Sequence, residues 1–394
     1  MEWIEWSSRM LFIAFFLYAI STVLFTIAVS GMRKDRNVNR VAYGKYAFIL
    51  AIIGFIAQMT YFFMRWAGVG YAPVSNLYEY TTFFGMMMVL GFLVVYGIYK
   101  NDVLGLFAMP VALLVIAFAS MFSSEVAPLI PALNSVWLKI HVTTAALGQG
   151  ILAISFASGL IFLLNETSMK EQSKSRTWLE VTMFVLMCTL GFIIVSMLFK
   201  GIGAGGVVEF TNDRGQVETY EYFMPILFVP EGAQLLSGAS GLSLELPNWI
   251  NTLKLNTLIW SVIGGVVIYA LLRFVILRKR IAEALQPLAK KVDLDLADEI
   301  SYRSVAIGLP VFILGGLIFA MIWAQIAWNR FWGWDPKEVW ALITMLIYIY
   351  YLHMRIQRGW TGTKAAWLCV GGFAIIMFNL VFVNLVIAGL HSYA

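Results

Sequence analysis

Ten apolar segments, each long enough to cross a membrane as a helix, constrain the fold of this chain more than any other feature. A hydrocarbon core of about 30 Å requires about 20 residues of helix. Composition agrees, because 61% of the residues are hydrophobic and only 12% are charged. The sequence therefore predicts an all-α fold, a polytopic integral membrane helical bundle that forms a single domain over 1–394. The segments span roughly 10–31, 46–66, 78–99, 103–122, 138–164, 179–199, 257–277, 305–327, 338–356 and 365–390.

The distribution of Lys and Arg predicts the orientation of these helices. Cytoplasmic loops carry an excess of basic residues. Most of the 27 basic residues fall in the inner loops and helix ends if the N-terminus lies outside. Both termini, and the loop within 323–340, are therefore expected on the extracytoplasmic side. The net charge of +5 is small and spread over several loops, so no nucleic-acid partner is indicated.

The stretch 323–340, WAQIAWNRFWGWDPKEVW, is polar and aromatic where its surroundings are apolar. Proline disfavours helix at the residue before it and suits the first helical position. The next helix is therefore expected to begin at or just after Pro336, with Asp335 and Glu338 at its N-terminus, where negative charge is favoured. The tryptophans are Trp323, Trp328, Trp332, Trp334 and Trp340.

Two interpretations of this stretch remain open from the residues alone. Tryptophan is enriched at membrane interfaces, so the cluster could be an aromatic belt. A belt, however, requires neither Gly333 between two tryptophans nor the Asp335-Pro336 pair. Five tryptophans in and around one tight loop favour a flat apolar surface for a planar ligand.

The three histidines of the chain lie at two predicted depths. His141 and His391 fall at the outer ends of the fifth and tenth helices, level with the loop in 323–340. His353 follows Trp340 by 13 residues in the ninth helix, which places it roughly 20 Å deeper at 1.5 Å per residue. A membrane histidine can simply be hydrogen-bonded to a neighbouring helix. Neutral imidazole is also a common iron ligand, and two at one level beside a Trp-rich loop favour a metal-ligand role.

Three other segments carry weaker signals. APVSNLYEY at 72–80 reads as a turn leading into a helix, and a simple helix cap explains it equally well. In the outer insert at 200–256, VVEF, TNDRG and QVETYEY predict a possible β-hairpin, which is expected to be a solvated surface and could contact a partner. The inner segment 279–304 is expected to lie as an amphipathic stretch along the membrane surface, interrupted by Pro287.

The stretch 323–340 resembles the WWD domain of the heme-handling proteins of cytochrome c maturation. Within that superfamily the chain is most similar to the CcsA-type (ResC-type) subunit of the system II cytochrome c synthase, in the cytochrome c assembly protein family. The segment at 72–80 also resembles a P-V-x-N-L-Y-E stretch of this family, which implies a supporting role beside a heme site. In the stretch 323–340, the residues that match the WWD domain are Trp328, Trp332, Gly333, Trp334, Asp335, Pro336, Lys337, Glu338 and Trp340.

The histidines resemble the family's heme ligands. His141 in LKIHVTTAALGQG and His391 in VNLVIAGLHSYA resemble the two external ligands, and His353 in YIYYLHMRIQRGW resembles an intramembrane ligand. The family's other intramembrane histidine has no counterpart here. In the family's split form it comes from a CcsB-type (ResB-type) partner subunit.

The resemblance implies delivery of heme b to the outer membrane face and its covalent attachment to the Cys-x-x-Cys-His motif of an apocytochrome c. Heme would pass from an inner site at His353 to an outer site at His141 and His391, in the cytoplasmic (plasma) membrane. The implied partners are the CcsB-type subunit, the apocytochrome, its thiol reductant and membrane lipid. No catalytic side chain is required beyond those that position heme. The implied heme-contacting residues are Trp328, Trp332, Gly333, Trp334, Asp335, Pro336 and Trp340.

Two rival functions and one subsidiary assignment stay open. A related heme exporter without ligation activity would share the loop and the external histidines but would not need His353. A bis-histidine electron-transfer cytochrome usually pairs histidines on facing helices inside the bilayer, whereas the predicted depths here pair two histidines only at the outer surface. Four basic residues near the outer surface could pair with heme propionates or could simply be solvated: Arg65, Lys139, Arg330 and Lys337.

Overall fold

The computed structural model describes ten helices that are long and apolar enough to span a membrane, which confirms the predicted polytopic helical bundle. Each predicted segment overlaps one of these helices. The described residues are 2–30, 40–122, 124–126, 129, 133–211, 217–237, 241–247 and 250–383. The spans are Glu2–Ser30, Ala42–Val69, Leu77–Tyr99, Asp102–Ala119, Val136–Glu166, Lys174–Ile202, Thr252–Ile276, Leu294–Trp328, Pro336–Arg358 and Thr363–Val383.

Three of these spans contain short π-helical stretches. The described residues form twelve α-helices, because one of these stretches divides the span Leu294–Trp328 into two helices and Ile281–Ala289 forms a further short helix. The π-helical stretches are Leu271–Ile276 after α7, Leu314–Phe319 between α9 and α10, and Asn379–Val383 after α12. Such bulges occur frequently at functional sites. The helices are α1 Glu2–Ser30, α2 Arg40–Val69, α3 Leu77–Tyr99, α4 Asp102–Ala119, α5 Val136–Glu166, α6 Lys174–Ile202, α7 Thr252–Ala270, α8 Ile281–Ala289, α9 Leu294–Ile313, α10 Ala320–Trp328, α11 Pro336–Arg358 and α12 Thr363–Phe378.

The chain divides into two compact units, residues 1–170 with 285–394, and residues 171–284. In the first unit the central helix is α5, which packs against α3, α9 and α12. Small residues allow these backbones to approach closely. A Cβ atom added to Gly150 of α5 would lie 2.6 Å from the backbone of Met87 on α3. A Cβ atom on Gly148 would lie 2.5 Å from the backbone nitrogen of Phe312 on α9.

The second unit contains α6, α7 and the strands of the insert. The predicted hairpin is confirmed, because β1 (Gly206–Thr211) pairs antiparallel with β2 (Val217–Tyr222). Three strands were not predicted: β3 (Ile226–Pro230), β4 (Gln234–Ser237) and β5 (Gly241–Leu246). β4 pairs antiparallel with β1, and β3 pairs parallel with β5. Val208, Tyr222, Ile226 and Val229 bury a small core between the strands.

The segment 279–304 differs from its prediction in two ways. Pro287 does not interrupt the helix, because α8 continues through it to Ala289. α9 then begins at Leu294, well before the predicted start at 305, and Asp293 caps it by accepting a hydrogen bond from the backbone N–H of Asp295 at 2.8 Å. The added polar turns are stabilised by Asp298, whose carboxylate lies 2.6 Å from the Arg355 guanidinium of α11.

Candidate functional site

The loop between α10 and α11 is shaped by hydrogen bonds to two acidic side chains. α10 ends at Trp328, and Asn329 follows in the left-handed conformation with φ of 55°. α11 begins at Pro336, as predicted, and Asp335 caps it. Asp335 and Glu338 together form a capping box. The Glu338 carboxylate also accepts a hydrogen bond from the backbone N–H of Gly333 at 2.8 Å. The loop is therefore closed by its own polar groups.

The tip of this loop exposes an aromatic side chain on a strained backbone. Trp334 has a φ of 57° and is 71% exposed. A bulky residue in the left-handed region is an outlier, and such strain concentrates at functional sites. Trp332 lies edge-on to Trp334 with ring centroids 5.9 Å apart. Gly333 allows the Arg330 side chain to approach, since an added Cβ would lie 2.7 Å from the guanidinium carbon.

The other tryptophans of the stretch pack inside the first unit. Trp323 is 2% exposed, and Trp328 packs against it edge-on at 4.8 Å between centroids. Trp340 packs on Phe378 of α12 at 4.4 Å. The five tryptophans therefore do not form one continuous surface. Only Trp332 and Trp334 combine loop position with availability to a ligand.

His141, in the second turn of α5, is oriented by a backbone carbonyl and by an indole ring. Its Nδ1 lies 2.8 Å from the carbonyl oxygen of Gly315. A carbonyl can only accept, so Nδ1 carries the proton and the lone pair resides on Nε2, the tautomer found in many metal-ligating histidines. The imidazole also stacks on Trp323, with an interplanar angle of 9° and centroids 5.8 Å apart.

Gly315 can make this contact because it lies in the π-helical stretch and packs directly on α5. A Cβ atom added to Gly315 would lie 2.2 Å from the backbone nitrogen of Ala145. No larger residue fits without separating the two helices. The π-helical stretch and the glycine together place this carbonyl at the imidazole.

A cavity of about 180 Å³ lies beside His141. Residues 74–77 and Tyr80 line one part of its wall, Trp323 lines another, and Lys337 and Glu338 line a third. Asn379 and Leu380, from the π-helical stretch after α12, complete this part of the lining. Four segments that are distant in sequence thus meet at one cavity, with His141 among its walls.

The segment 72–80 is both a helix cap and a wall of the cavity. Asn76 accepts a hydrogen bond from the backbone N–H of Glu79 at 2.9 Å. The Glu79 carboxylate accepts hydrogen bonds from the Ser75 hydroxyl at 2.8 Å and from Arg65 Nε at 2.8 Å. The side chains of Arg65 and Glu79 are 1% and 0% exposed. The cap and the wall are therefore fixed by one buried ion pair.

The four basic residues considered for propionate binding lie in different environments. Arg65 is buried in its ion pair with Glu79, which gives it a structural partner inside the chain. Lys139 lies over the Trp66 ring at 5.4 Å, and Arg330 packs on Gly333. Lys337 lines the cavity itself. The structure thus brings only Lys337 to the His141 cavity.

His353 does not line this cavity. His353 is exposed near the end of α11. His391 lies outside the described residues. The structure therefore places His141, the segment 72–80 and the start of α11 around one cavity, and His353 is not among the residues that line it.

The sequence did not predict that Trp323 and Gly315 orient the His141 side chain. A signal for Gly315 exists in the pair Gly315-Gly316, which interrupts an apolar helix and is typical of close helix packing. The hydrogen bond from Tyr80 to Gln149, 3.0 Å long between two residues of the cavity wall, has no comparable local signal.

Comparison with known proteins places the chain in a family. Residues 257–391 match the family model of the cytochrome C assembly protein. The chain is 30% identical to cytochrome c biogenesis protein CcsA of Rippkaea orientalis over 333 residues, covering 84% of this chain and 82% of the relative. It is 27% identical to CcsA of Gloeobacter violaceus over 387 residues, covering 96% and 94% of the two chains. The chain belongs to the CcsA family of multi-pass membrane proteins for cytochrome c biogenesis.

Proposed function

We propose that the cavity beside His141 holds heme b for thioether attachment to an apocytochrome c. The observation that carries this proposal is the orientation of His141. Its Nδ1 donates to the Gly315 carbonyl at 2.8 Å, so Nε2 presents a lone pair suited to iron. Heme is here a substrate of the reaction, and the chain supplies its ligand and its position.

The dimensions of the cavity support binding of part of a porphyrin. Its volume of about 180 Å³ is below the roughly 300–1,000 Å³ that encloses most of a drug-sized ligand. The remainder of the ring would lie outside the cavity against the loop after α10. Lys337 provides a positive charge in the cavity wall for a propionate.

The geometry at His141 suggests different roles for Trp323 and for the two loop tryptophans, Trp332 and Trp334. Trp323 stacks on the imidazole within 9° of parallel, so its indole would hold the His141 ring in the orientation that presents Nε2 to heme. Contact with the flat porphyrin face is therefore assigned to Trp332 and Trp334. Trp328, Gly333, Asp335, Pro336 and Trp340 support the loop.

His391 is proposed as the second axial ligand of this outer heme. The proposal rests on its resemblance to the family's second external histidine. It is supported by Asn379 and Leu380, which line the cavity and precede His391 along the chain.

The proposed reaction is that of a holocytochrome c synthase. Each cysteine thiol of the Cys-x-x-Cys-His motif adds across one vinyl group, with sulfur bonding to one carbon and hydrogen to the other. This addition consumes no oxidant, but it requires reduced thiols, so a thiol reductant of the apocytochrome is an implied partner. The chain's own residues hold and orient heme and provide no nucleophile.

A partner subunit of the CcsB type is proposed to complete a second, inner site at His353. His353 lies within the membrane-spanning helix α11 and is exposed on this chain. An imidazole facing lipid is unfavourable, so a helix that covers it and supplies the second ligand fits this position. With the basic residues inside, both termini and the cavity face the extracytoplasmic side of the plasma membrane.

Co-expression of the chain, its CcsB-type partner and a reporter apocytochrome c tests the proposal. We expect covalent heme on the reporter with the native chain and none with His141→Ala, although that variant is inserted normally. A heme exporter would instead accumulate outer heme without needing to form the thioether bonds. Covalent attachment that persists in His141→Ala would overturn the assignment.

A further inference from the structure

A second cavity lies in the unit of residues 171–284 and is separate from the heme-related residues. Its volume is about 400 Å³. It is formed where the charged start of α6 meets the charged end of the span that contains α7. Arg176, Arg273 and Arg280 line it together with one acidic residue, Glu180. Three arginines against one carboxylate leave an excess of two positive charges.

The carboxylate in this cavity is committed to internal hydrogen bonds. Glu180 Oε1 accepts a hydrogen bond from the Tyr269 hydroxyl at 2.5 Å. The backbone N–H groups of Ile281 and Ala282 donate to its two oxygens at 3.3 and 3.4 Å. Glu180 therefore joins α6 to the chain after α7, and it contributes to the shape of the cavity.

Two of the arginines retain donors for an anion. Arg273 uses Nη1 to donate to the Tyr269 hydroxyl at 2.6 Å, and a guanidinium has five N–H donors in all. Arg280 forms no ion pair with any residue that the structure describes. Arg273 also lies in the π-helical stretch Leu271–Ile276. Guanidinium groups match the geometry of phosphate oxygens and bind them through paired hydrogen bonds.

An apolar wall adjoins the arginines. Val181 and Phe184 line the same cavity. Beside it, Trp178 and Phe274 are 61% and 67% exposed, as expected for side chains that face lipid at the membrane interface. A cationic ring above an apolar wall suits a molecule with a phosphate group attached to acyl chains. Basic pockets between transmembrane helices are known to suit anionic headgroups.

We propose that this cavity binds the phosphate group of an anionic phospholipid. The arginines contact the phosphate, and the acyl chains descend along Val181 and Phe184. Free inorganic phosphate presents the same charged group without the acyl chains, so the apolar wall is the feature that favours the lipid.

Thermal unfolding of the purified full-length chain in a neutral detergent tests this site. The probes are dioctanoyl phosphatidylglycerol, dioctanoyl phosphatidylcholine and inorganic phosphate. A ligand that binds only the folded chain raises its unfolding temperature. We expect a saturable rise with phosphatidylglycerol and a much smaller one with the other two probes.

The double variant Arg273→Gln/Arg280→Gln should need at least about tenfold more phosphatidylglycerol for half of this rise. The matched control is Arg278→Gln/Lys279→Gln, which removes two adjacent exposed charges outside the cavity and should behave as the native chain does. Arg280→Gln alone leaves the Tyr269–Glu180 hydrogen bond in place. It should weaken the response without changing the unfolding temperature in the absence of lipid.

Two results would overturn the proposal. An equal loss in both double variants would mean diffuse attraction to surface charge and no specific site. A rise with inorganic phosphate equal to that with phosphatidylglycerol at the same concentration would mean a free-anion site and would exclude the lipid assignment.

Discussion

The regions around His141 and His353 each present an imidazole in a membrane-spanning helix, but the chain fixes only one of them. His141 is held by the Gly315 carbonyl at 2.8 Å and by stacking on Trp323. His353 is exposed, and no described residue forms a hydrogen bond with it. The difference supports the proposal that this chain by itself orients the ligand of an outer site at His141, and that a partner molecule completes the proposed inner site at His353.

The ion pair near His141 is also more deeply buried than the ion pair near His353. Arg65 and Glu79, behind the wall of the His141 cavity, are 1% and 0% exposed. Arg355 and Asp298, on the turns adjoining His353, are 15% and 14% exposed. A buried pair is costly to break because the surviving charge remains uncompensated. We therefore expect the region around His141 to be more rigid than the region around His353, whose ion pair is partly exposed to solvent.

The largest expected effect is on heme content. His353→Ala should lower the heme bound by the complex with its partner, because in the proposed function heme enters at the inner site. His391→Ala should retain inner heme but fail at attachment. His353 follows Trp340 by 13 residues, which is roughly 20 Å of helix and too far for one heme to bridge. Heme per complex and the absorption spectrum measure this; equal losses would indicate a single site.

The next effect is on stability. Glu79→Gln leaves the Arg65 charge buried without its partner and should cost about 3–5 kcal/mol. Asp298→Asn should cost less than this, because the side chains of Arg355 and Asp298 are 15% and 14% exposed and solvent screens the remaining charge in part. Thermal unfolding of the two purified variants makes the comparison. A larger loss for Asp298→Asn would refute the contrast between a rigid outer and an adaptable inner region.

Trp334→Ala should reduce function without reducing stability. The side chain is 71% exposed and its backbone is strained, so it contributes little to the stability of the fold beyond its edge contact with Trp332. Loss of one aromatic ligand contact of about 2 kcal/mol corresponds to roughly 30-fold weaker heme binding. Yield of covalent cytochrome c, normalised to membrane insertion, is the measurement.

Phe331→Ala is the matched control for Trp334→Ala, since Phe331 belongs to the same loop and is 56% exposed. It should mature cytochrome c normally. Should the triple alanine variant of Trp332, Trp334 and Asp335 remain active, the aromatic-belt interpretation would replace that of a heme surface.

The smallest expected effect is the difference in stability between alanine variants of two glycines, Gly315 and Gly371. Gly315→Ala forces a Cβ to within 2.2 Å of the Ala145 nitrogen, so α5 and the π-helical stretch must separate, at a cost of about 1–3 kcal/mol. Gly371→Ala places its Cβ where no atom lies within 4 Å and should be neutral. Unfolding temperature and the heme spectrum of both variants test this. If the two variants behaved identically, Gly315 would not be required for placing its carbonyl at His141.

The helices and the start of α11 were predictable because their causes are local. Apolar length predicts a span, and proline after aspartate predicts the beginning of a helix at Pro336. The alternation around TNDRG likewise predicted the β1–β2 hairpin. Each of these depends on neighbours in sequence.

Other features depend on contacts between distant residues, so sequence reasoning could not predict them. The parallel pairing of β3 with β5 is set by tertiary packing. The stacking of Trp323 on His141 joins residues that are far apart in the chain, and the π-helical stretch that presents Gly315 leaves only a pair of glycines as its signal. The early start of α9 was missed because its polar residues resemble a surface segment until the Asp298–Arg355 pair is known.

The most direct test of the central claim replaces the proposed nitrogen ligand by sulfur. His141→Met in the purified complex should leave heme content near that of the native complex. It should also change the absorption spectrum and raise the midpoint potential of the outer heme, because methionine in place of histidine raises heme potentials. Phe331→Ala, in the same preparation, should alter neither. An unchanged spectrum and potential in His141→Met would show that His141 does not ligate heme, and the proposed outer site would be wrong.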